Sequence, residues 1–209
     1  MNADTTCAIV CNGLIGDYSW LKRCLEDYDY IVAANGGSDH LMKAGVRPGV
    51  VIGDLDSSGT VPDDIEIISF PPEKDFTDAE LAIRHAIAQG VECIDMYGAL
   101  GGRIDHALCN MFLLASYPHQ LRICDPGTTM ECCSAGQSVC IAGKRGDLLS
   151  LLSVSKEVRC TAKNLKYPLN GEILKRSGRG ISNILDDEKA FIEVHSGDLM
   201  IIHIYDEER

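Results

Sequence analysis

Residues 50–59 read VVIGDLDSSG and residues 71–81 read PPEKDFTDAEL, and these two segments decide what kind of domain the chain opens with. Val50, Val51 and Ile52 form a short apolar run of the kind that makes a buried strand, and the run ends in Gly53-Asp54-Leu55-Asp56. In an open parallel α/β sheet, ligands bind beyond the carboxyl ends of the strands, so Asp54 and Asp56 stand where a metal–phosphate ligand is expected. The second segment carries Thr77-Asp78-Ala79-Glu80, a capping-box pattern with Thr77 as N-cap and Glu80 reaching back. Apolar Ala79, Ala82, Ile83, Ala86 and Ile87 follow at helical spacing and Gly90 stops the run, so the helix's positive end lies beside the acids. Backbone N–H groups there suit phosphate oxygens, and Lys74 adds a cation. Asp54, Asp56, Glu73, Asp75 and Asp78 repel one another at a shared rim unless a cation joins them, and Mg²⁺ bridging aspartates to phosphates relieves that repulsion. Each cluster alone also has a structural reading, as turn-forming aspartates or as a helix cap. Together they predict a Mg-nucleotide site.

Composition bounds the rest. The 209 residues suffice for one large or two small domains, and 45% hydrophobic with 24% charged residues is the balance of an ordinary globular protein. The 31 acidic against 19 basic residues, a net charge of −12, argue against duplex nucleic acid or an anionic membrane as partner. ATP is not excluded, because it arrives with its own Mg²⁺. Ten cysteines show no C-x-x-C and no His pairing at zinc spacing, and no secretory signal precedes them. Reduced thiols in a cytoplasmic protein are expected. No apolar run approaches the roughly 20 residues a membrane span needs.

Taken in order, Thr6 to Cys11 is a strand running into Asn12-Gly13-Leu14-Ile15-Gly16, a loop that can bring backbone amides to a phosphate. Trp20, Leu21 and Leu25 form the apolar face of a first helix. A second strand, Tyr30 to Ala34, ends in Asn35-Gly36-Gly37-Ser38, after which Ser38 or Asp39 caps the next helix. Glu66 to Phe70 and Glu92 to Tyr97 are further strands. The latter feeds GALGGRIDHALCN (residues 98–110), where Arg103 is a planar fork suited to phosphate and Asp105 opens a helix. Leu121 to Cys124 is a sixth strand.

Beyond residue 127 the alternation of strand and helix gives way to short strand-like runs: Met130 to Cys133, Ser138 to Ala142, Leu148 to Val154, Val158 to Ala162, Ala190 to His195 and Leu199 to Tyr205. An all-β domain is expected there, joined tightly between about 125 and 135. Leu165 to Asn183, with its Ser177-Gly178-Arg179-Gly180-Ile181-Ser182-Asn183 segment, reads as a loop in which Ser182 and Asn183 offer hydrogen bonds.

Two other phosphate-handling schemes fit poorly. Gly143-Lys144-Arg145 lacks the upstream glycine and following Ser or Thr of a P-loop, and no G-x-G-x-x-G follows a strand. Asp54-Leu55-Asp56-Ser57-Ser58-Gly59-Thr60 loosely echoes the D-x-D-x-T loop of haloacid-dehalogenase-like phosphatases, in which the first Asp is the nucleophile. Here it follows the third strand, carries an extra residue, and leaves GGRIDH without a role.

The ordered set NGGSDHL (35–41), GDLDS (53–57), EKDFTD (73–78), GGRIDH (101–106), LKYPL (165–169) and GISN (180–183), closed by A-x-I-x-V-x-x-G-x-L-x-x-I from Ala190 to Ile202, resembles the thiamine pyrophosphokinase family. The resemblance spans nearly the whole chain. It implies an α/β nucleotide-binding domain with a mostly parallel sheet (residues 1–128), then an all-β sandwich domain for thiamine binding and dimerisation (residues 129–209). It further implies transfer of pyrophosphate from ATP to thiamine, with Mg²⁺, in a homodimer whose active sites lie between subunits. Carried over by position, Asp54, Asp56 and Asp78 hold Mg²⁺ and phosphates, and Lys74, Thr77 and Arg103 contact the nucleotide phosphates. Asn12, Asn35, Gly36, Gly37, Asp39, Ser57 and Asp75 complete the nucleotide side. Asp105 and His106 lie at the thiamine, and Ser182 and Asn183 of the partner subunit line its pocket. The chain departs from the family in reading Ala34-Asn35-Gly36-Gly37-Ser38-Asp39 where A-D-G-G-A-N is common, and in Ile184, where an acid is frequent. Its one tryptophan, Trp20, lies outside the thiamine loop. A non-catalytic sensor of thiamine or nucleotide is the alternative reading.

Overall fold

The structure is a computed structural model that describes residues 5–54, 61–71, 73 and 75–206. The chain forms two compact units, divided between Leu113 and Leu114. The first contains β1 (Thr6–Val10), α1 (Tyr18–Leu25), β2 (Tyr30–Ala34), α2 (Gly37–Ala44), β3 (Val50–Gly53), β4 (Glu66–Ser69), α3 (Asp78–Ala88) and β5 (Cys93–Tyr97). α4 (Ile104–Ser116) then carries the chain across the boundary.

The strands of the first unit are parallel in the order β5-β1-β2-β3-β4. Ile9, Val32 and Ile52 are each 0% exposed, as the unbroken apolar runs require of strands covered on both faces. α3 packs on β1, β2 and β3 through Ala79, Leu81, Ala82, Ile83 and Ala86. The chain steps from β1 to β2 on one side and returns to β5 on the other. The strand order therefore reverses between β1 and β5, and a ligand site is expected beyond the carboxyl ends of the strands at that point.

The second unit is an antiparallel sandwich. One layer runs β12-β9-β14-β7-β6, from β6 (Leu121–Asp125), β7 (Thr128–Ser134), β9 (Leu148–Ser153), β12 (Asn183–Ile184) and β14 (Asp198–Ile204). The other runs β11-β10-β13-β8, from β8 (Ser138–Ala142), β10 (Glu157–Lys163), β11 (Leu169–Lys175) and β13 (Lys189–Ser196). Leu149, Leu151, Leu199 and Ile201 of the first layer meet Val158, Ala162, Ile192 and Val194 of the second in one core. Alternation in KAFIEVHS puts Ala190, Ile192 and Val194 inward and leaves Lys189, Phe191 and Glu193 in water.

β6 pairs antiparallel with β7 across a tight turn, and by backbone contacts it groups with the second unit. Two expectations differ from this fold. Residues 169–175 form a strand where a loop is expected. The reason is Asn170-Gly171, which reads as a turn but is a β-bulge: Gly171 has φ 68°, and pairing passes from Cys160↔Glu172 to Thr161↔Asn170 without it. α2 begins with Gly36 at its N-cap and no side-chain cap, not with Ser38 or Asp39.

All ten cysteines are thiols. Burial pushes Cys7, Cys11 and Cys132 up to about 12, and Cys133 and Cys160 up to about 11. Among the described residues, no helix is long and apolar enough to cross a membrane.

Candidate active site

A cleft of about 340 Å³ opens at the carboxyl edge of the parallel sheet, where β1, β2 and β5 end. Its rim is stitched by backbone bonds between the loops after β1 and β5: Cys11 N–H donates to Tyr97 O (2.8 Å), Gly13 N–H to Gly98 O (2.7 Å) and Leu14 N–H to Leu100 O (3.0 Å). Gly13 allows this approach, since a Cβ there would fall 2.3 Å from the carbonyl oxygens of both Gly98 and Leu100. Buried Asn110 of α4 donates from Nδ2 to Ala99 O at 2.8 Å and fixes the glycine-rich loop from below. His40 of α2 bonds Gly13 O through Nε2 (2.8 Å) and Tyr18 Oη through Nδ1 (3.1 Å). Sequence reasoning missed Asn110 and His40 as supports, because their contacts reach backbone carbonyls in other elements.

Asn35 stands at the centre of the acids. It is buried, adopts the left-handed conformation (φ 48°), and donates its N–H to Ile52 O at 2.8 Å. From one nitrogen, Nδ2, it donates to Asp54 Oδ1 at 2.8 Å and to Asp78 Oδ2 at 2.9 Å. Asp54 follows β3 and Asp78 opens α3, so the predicted pairing of the two acidic segments occurs. Asp78 Oδ1 is also buried. Thr77 caps α3, with Oγ1 accepting from Glu80 N–H at 3.2 Å. The return half of the capping box does not form: the Glu80 carboxylate takes Arg84 Nε (3.1 Å) and Nη2 (2.9 Å) instead. The ion pair one turn along the exposed helix face wins over the backbone contact.

Arg103 lines the cleft at the head of α4. Its guanidinium grips Asp105 in a fork, Nε to Oδ1 at 3.1 Å and Nη2 to Oδ2 at 2.6 Å, with both side chains mostly exposed. That hydrogen bond from Arg103, helped by the His106 N–H at 3.0 Å, holds the Asp105 carboxyl down at about 2. Asp105 is thus a permanent anion and a weak base. His106 and Asn12 also line the cleft, and Asn12 packs where a Cβ on Gly36 would go, 2.5 Å from its Cγ. Cys11 lines it too, as a neutral thiol.

Other expected residues stand apart from the cleft. Gly37 is buried against Val10 O, Asp39 sits in the first turn of α2, and Asp75 is exposed ahead of the α3 cap. Asp56, Ser57 and Lys74 lie outside the described residues. In the sandwich unit, Ser182 is exposed at φ 57° with its N–H on Ser150 Oγ (3.0 Å). Asn183 is buried and its side chain is engaged by backbone: Oδ1 accepts from Tyr167 N–H (3.0 Å) and Ile184 N–H (2.9 Å), and Nδ2 donates to Tyr167 O (2.8 Å).

The donor set fits a hard divalent cation. Asp54 and Asp78 present carboxylate oxygens toward one point, and Mg²⁺ is commonly held by one or two carboxylates together with substrate phosphates. Among the described residues no group of three His, Cys, Asp or Glu gathers for a metal, and Asp56, the expected third ligand, lies outside the described residues.

Residues 21–124 match the family described as thiamin pyrophosphokinase, catalytic domain, and residues 139–199 match its vitamin B1 binding domain. The chain is 27% identical over 193 residues to thiamine pyrophosphokinase of Bacillus subtilis, covering 87% of this chain and 90% of that one. The crystal structure of thiamin pyrophosphokinase from Geobacillus thermodenitrificans superposes with a TM-score of 0.83 at 28% identity, over 97% of this chain and 99% of that chain. The Bacillus subtilis crystal structure, at 24% identity, shares the fold with a TM-score of 0.84 over 97% of this chain and 100% of that chain. Both domain matches fall in the family's order and together span most of the sequence, and the chain belongs to the thiamin pyrophosphokinase family.

Proposed function

We propose that this protein transfers a pyrophosphoryl group from ATP to the hydroxyethyl group of thiamine, releasing AMP and thiamine diphosphate. The observation that carries the reading is the meeting of Asp54 and Asp78 on Asn35, beside a cleft lined by Asn35, Asp78, the α3 N-terminus and Arg103. This is an apparatus for a polyphosphate and its cation. In the transfer, the bond from the thiamine oxygen to the β-phosphorus forms as the bond from that phosphorus to the AMP oxygen breaks, and the hydroxyl proton is released.

Little covalent chemistry falls to the protein, so positioning and charge do the acceleration. Asp54 and Asp78, with Asp56, would hold Mg²⁺, which would supply positive charge against the β and γ groups. The α3 N-terminus directs backbone N–H groups and its dipole at phosphate oxygens. Arg103 offsets charge on the transferred or leaving oxygens. Asp105, ionised and weakly basic, orients the thiamine hydroxyl by accepting its hydrogen bond, and the proton passes on to water. Asn183 serves the thiamine side indirectly, by fixing the backbone of Tyr167 beside Ser182.

The working form is a homodimer with active sites between subunits. Ile104, Leu108 and Phe112, one turn apart on α4 and 81%, 47% and 57% exposed, support this as an apolar stripe beginning next to Arg103. Sedimentation velocity reads the state directly, and a monomer at micromolar concentration would remove it. Ten thiols and no disulfide support a cytoplasmic location.

The reaction is tested with purified protein, Mg-ATP and thiamine, omitting each in turn and quantifying AMP and thiamine diphosphate by chromatography. Equal yields of both, dependent on both substrates, are expected. Phosphate release without thiamine would favour a phosphatase, and binding without AMP a sensor.

A further inference from the structure

A buried side chain that bonds both acids is an amide. Asn35 is fixed from both ends: its N–H is on Ile52 O (2.8 Å), and its carbonyl accepts from Ser38 N–H (3.1 Å) and Ser38 Oγ (3.1 Å). The left-handed backbone at φ 48° is one that asparagine tolerates better than most residues, and it aims the carboxamide between β3 and α3. A side-chain NH₂ carries two hydrogens, and Nδ2 donates to both Asp54 Oδ1 and Asp78 Oδ2.

We propose that the Asn35 carboxamide is a stand-in for the cation, holding Asp54 and Asp78 together in the metal-free protein and releasing them when a divalent ion binds. The inference rests on the cation reading of this cleft and goes beyond it by naming the residue that exchanges with the ion. The amide hydrogens and a cation held by these two oxygens compete for the same space. N–H bonds diverging at about 120° set the two acid oxygens about 5 Å apart. Mg²⁺ bridging the same oxygens at about 2.1 Å from each brings them within about 4.2 Å, into the space the amide hydrogens fill. The partial positive charge of those hydrogens also opposes a cation at close range. The amide is thus a positioning residue: it keeps two like charges preassembled, and its displacement sets how tightly the site takes metal.

The test uses the full chain without nucleotide. In ¹H–¹⁵N spectra of the wild-type protein, Mg²⁺ is expected to shift the Asn35 side-chain signals and speed their hydrogen exchange. Asn35→Asp keeps the shape but replaces the donor with a third carboxylate. In chelator its Tm is expected to fall by at least about 4 °C, the scale of losing charge-assisted hydrogen bonds in a chain of this length. Added Mg²⁺ should raise the variant's Tm more than the wild type's. The double variant Asn35→Asp/Asp78→Asn, which returns an amide to the cluster, should recover part of the loss in chelator. Saturation with Mg²⁺ that moves other cleft signals but not Asn35 would overturn the proposal alone, as would an Asn35→Asp protein melting like wild type in chelator. Mg²⁺ that moves no cleft signal, with or without ATP, would overturn it together with the cation reading.

Discussion

Asn183 holds the peptide of Tyr167 from both sides, accepting its N–H at 3.0 Å and donating to its carbonyl at 2.8 Å. A side chain sixteen residues along the chain thereby takes the role of a neighbouring strand. Its remaining bond, from Ile184 N–H at 2.9 Å, ties the same amide to β12.

Asn183→Ala removes three hydrogen bonds and takes this partner from part-buried backbone groups of Tyr167 and Ile184. A loss of about 2–4 kcal/mol is expected, since each unmet buried group costs about 1–3 kcal/mol. Urea unfolding monitored by circular dichroism measures it. Asn183→Asp, which keeps the two accepted bonds, should lose less. Equal losses for both variants would mean that the bond to Tyr167 O does most of the holding.

Gly13→Ala places a methyl group 2.3 Å from two carbonyl oxygens, so the loops after β1 and β5 must separate. Overpacking of this kind costs about 1–3 kcal/mol, which a domain of this size tolerates while still folding. The cleft lies between those loops, so turnover should fall at least about tenfold with the protein still folded. Thermal unfolding and AMP release, measured together, separate the two effects.

Arg103→Lys keeps the charge but loses the fork. AMP release is expected to fall at least about tenfold, because a compact ammonium cannot reproduce paired N–H donors toward phosphate. An unchanged rate would reduce Arg103 to a point charge. The same variant should relieve the raised acidity of Asp105, and the Asp105 carboxyl ¹³C titration should move up from about 2 toward the ordinary aspartate range.

His40 has its pKa lowered, first by burial and also by Lys43, against a raising bond to Gly13 O. The folded protein therefore binds a proton there less readily than the unfolded chain, whose value is 6.5. The stability from neutral His40 is complete above pH 6.5 and is lost as pH falls from there through the folded value. Urea midpoints at pH 7.5 and 5.5 should differ less in His40→Gln than in wild type. His85, also lowered by burial, keeps a residual dependence in the variant.

Where hydrophobic pattern and cap signals agree, the sequence is legible. The buried strands at Val50 and Tyr30, the Thr77 cap and the alternation in β13 each follow from local chemistry that tertiary contacts reinforce. The convergence of Asp54 and Asp78 was readable because both follow strand ends on one rim. The part played by Asn35 was not, since a left-handed residue aiming its amide at two distant acids has no local signature. Strand β11 was hidden for a similar reason: Asn170-Gly171 carries the chemistry of a turn, and only pairing with β10 makes it a bulge. Glu80 had two partners within reach, and sequence alone does not rank them.

The buried thiols have a practical consequence. A reagent that attacks thiolates meets a protein whose Cys7, Cys11, Cys132, Cys133 and Cys160 are shielded and stay protonated through alkaline pH. Cys93 and Cys140, both exposed, fall one in each compact unit. A thiol-directed label therefore finds an exposed cysteine in each compact unit without one being introduced.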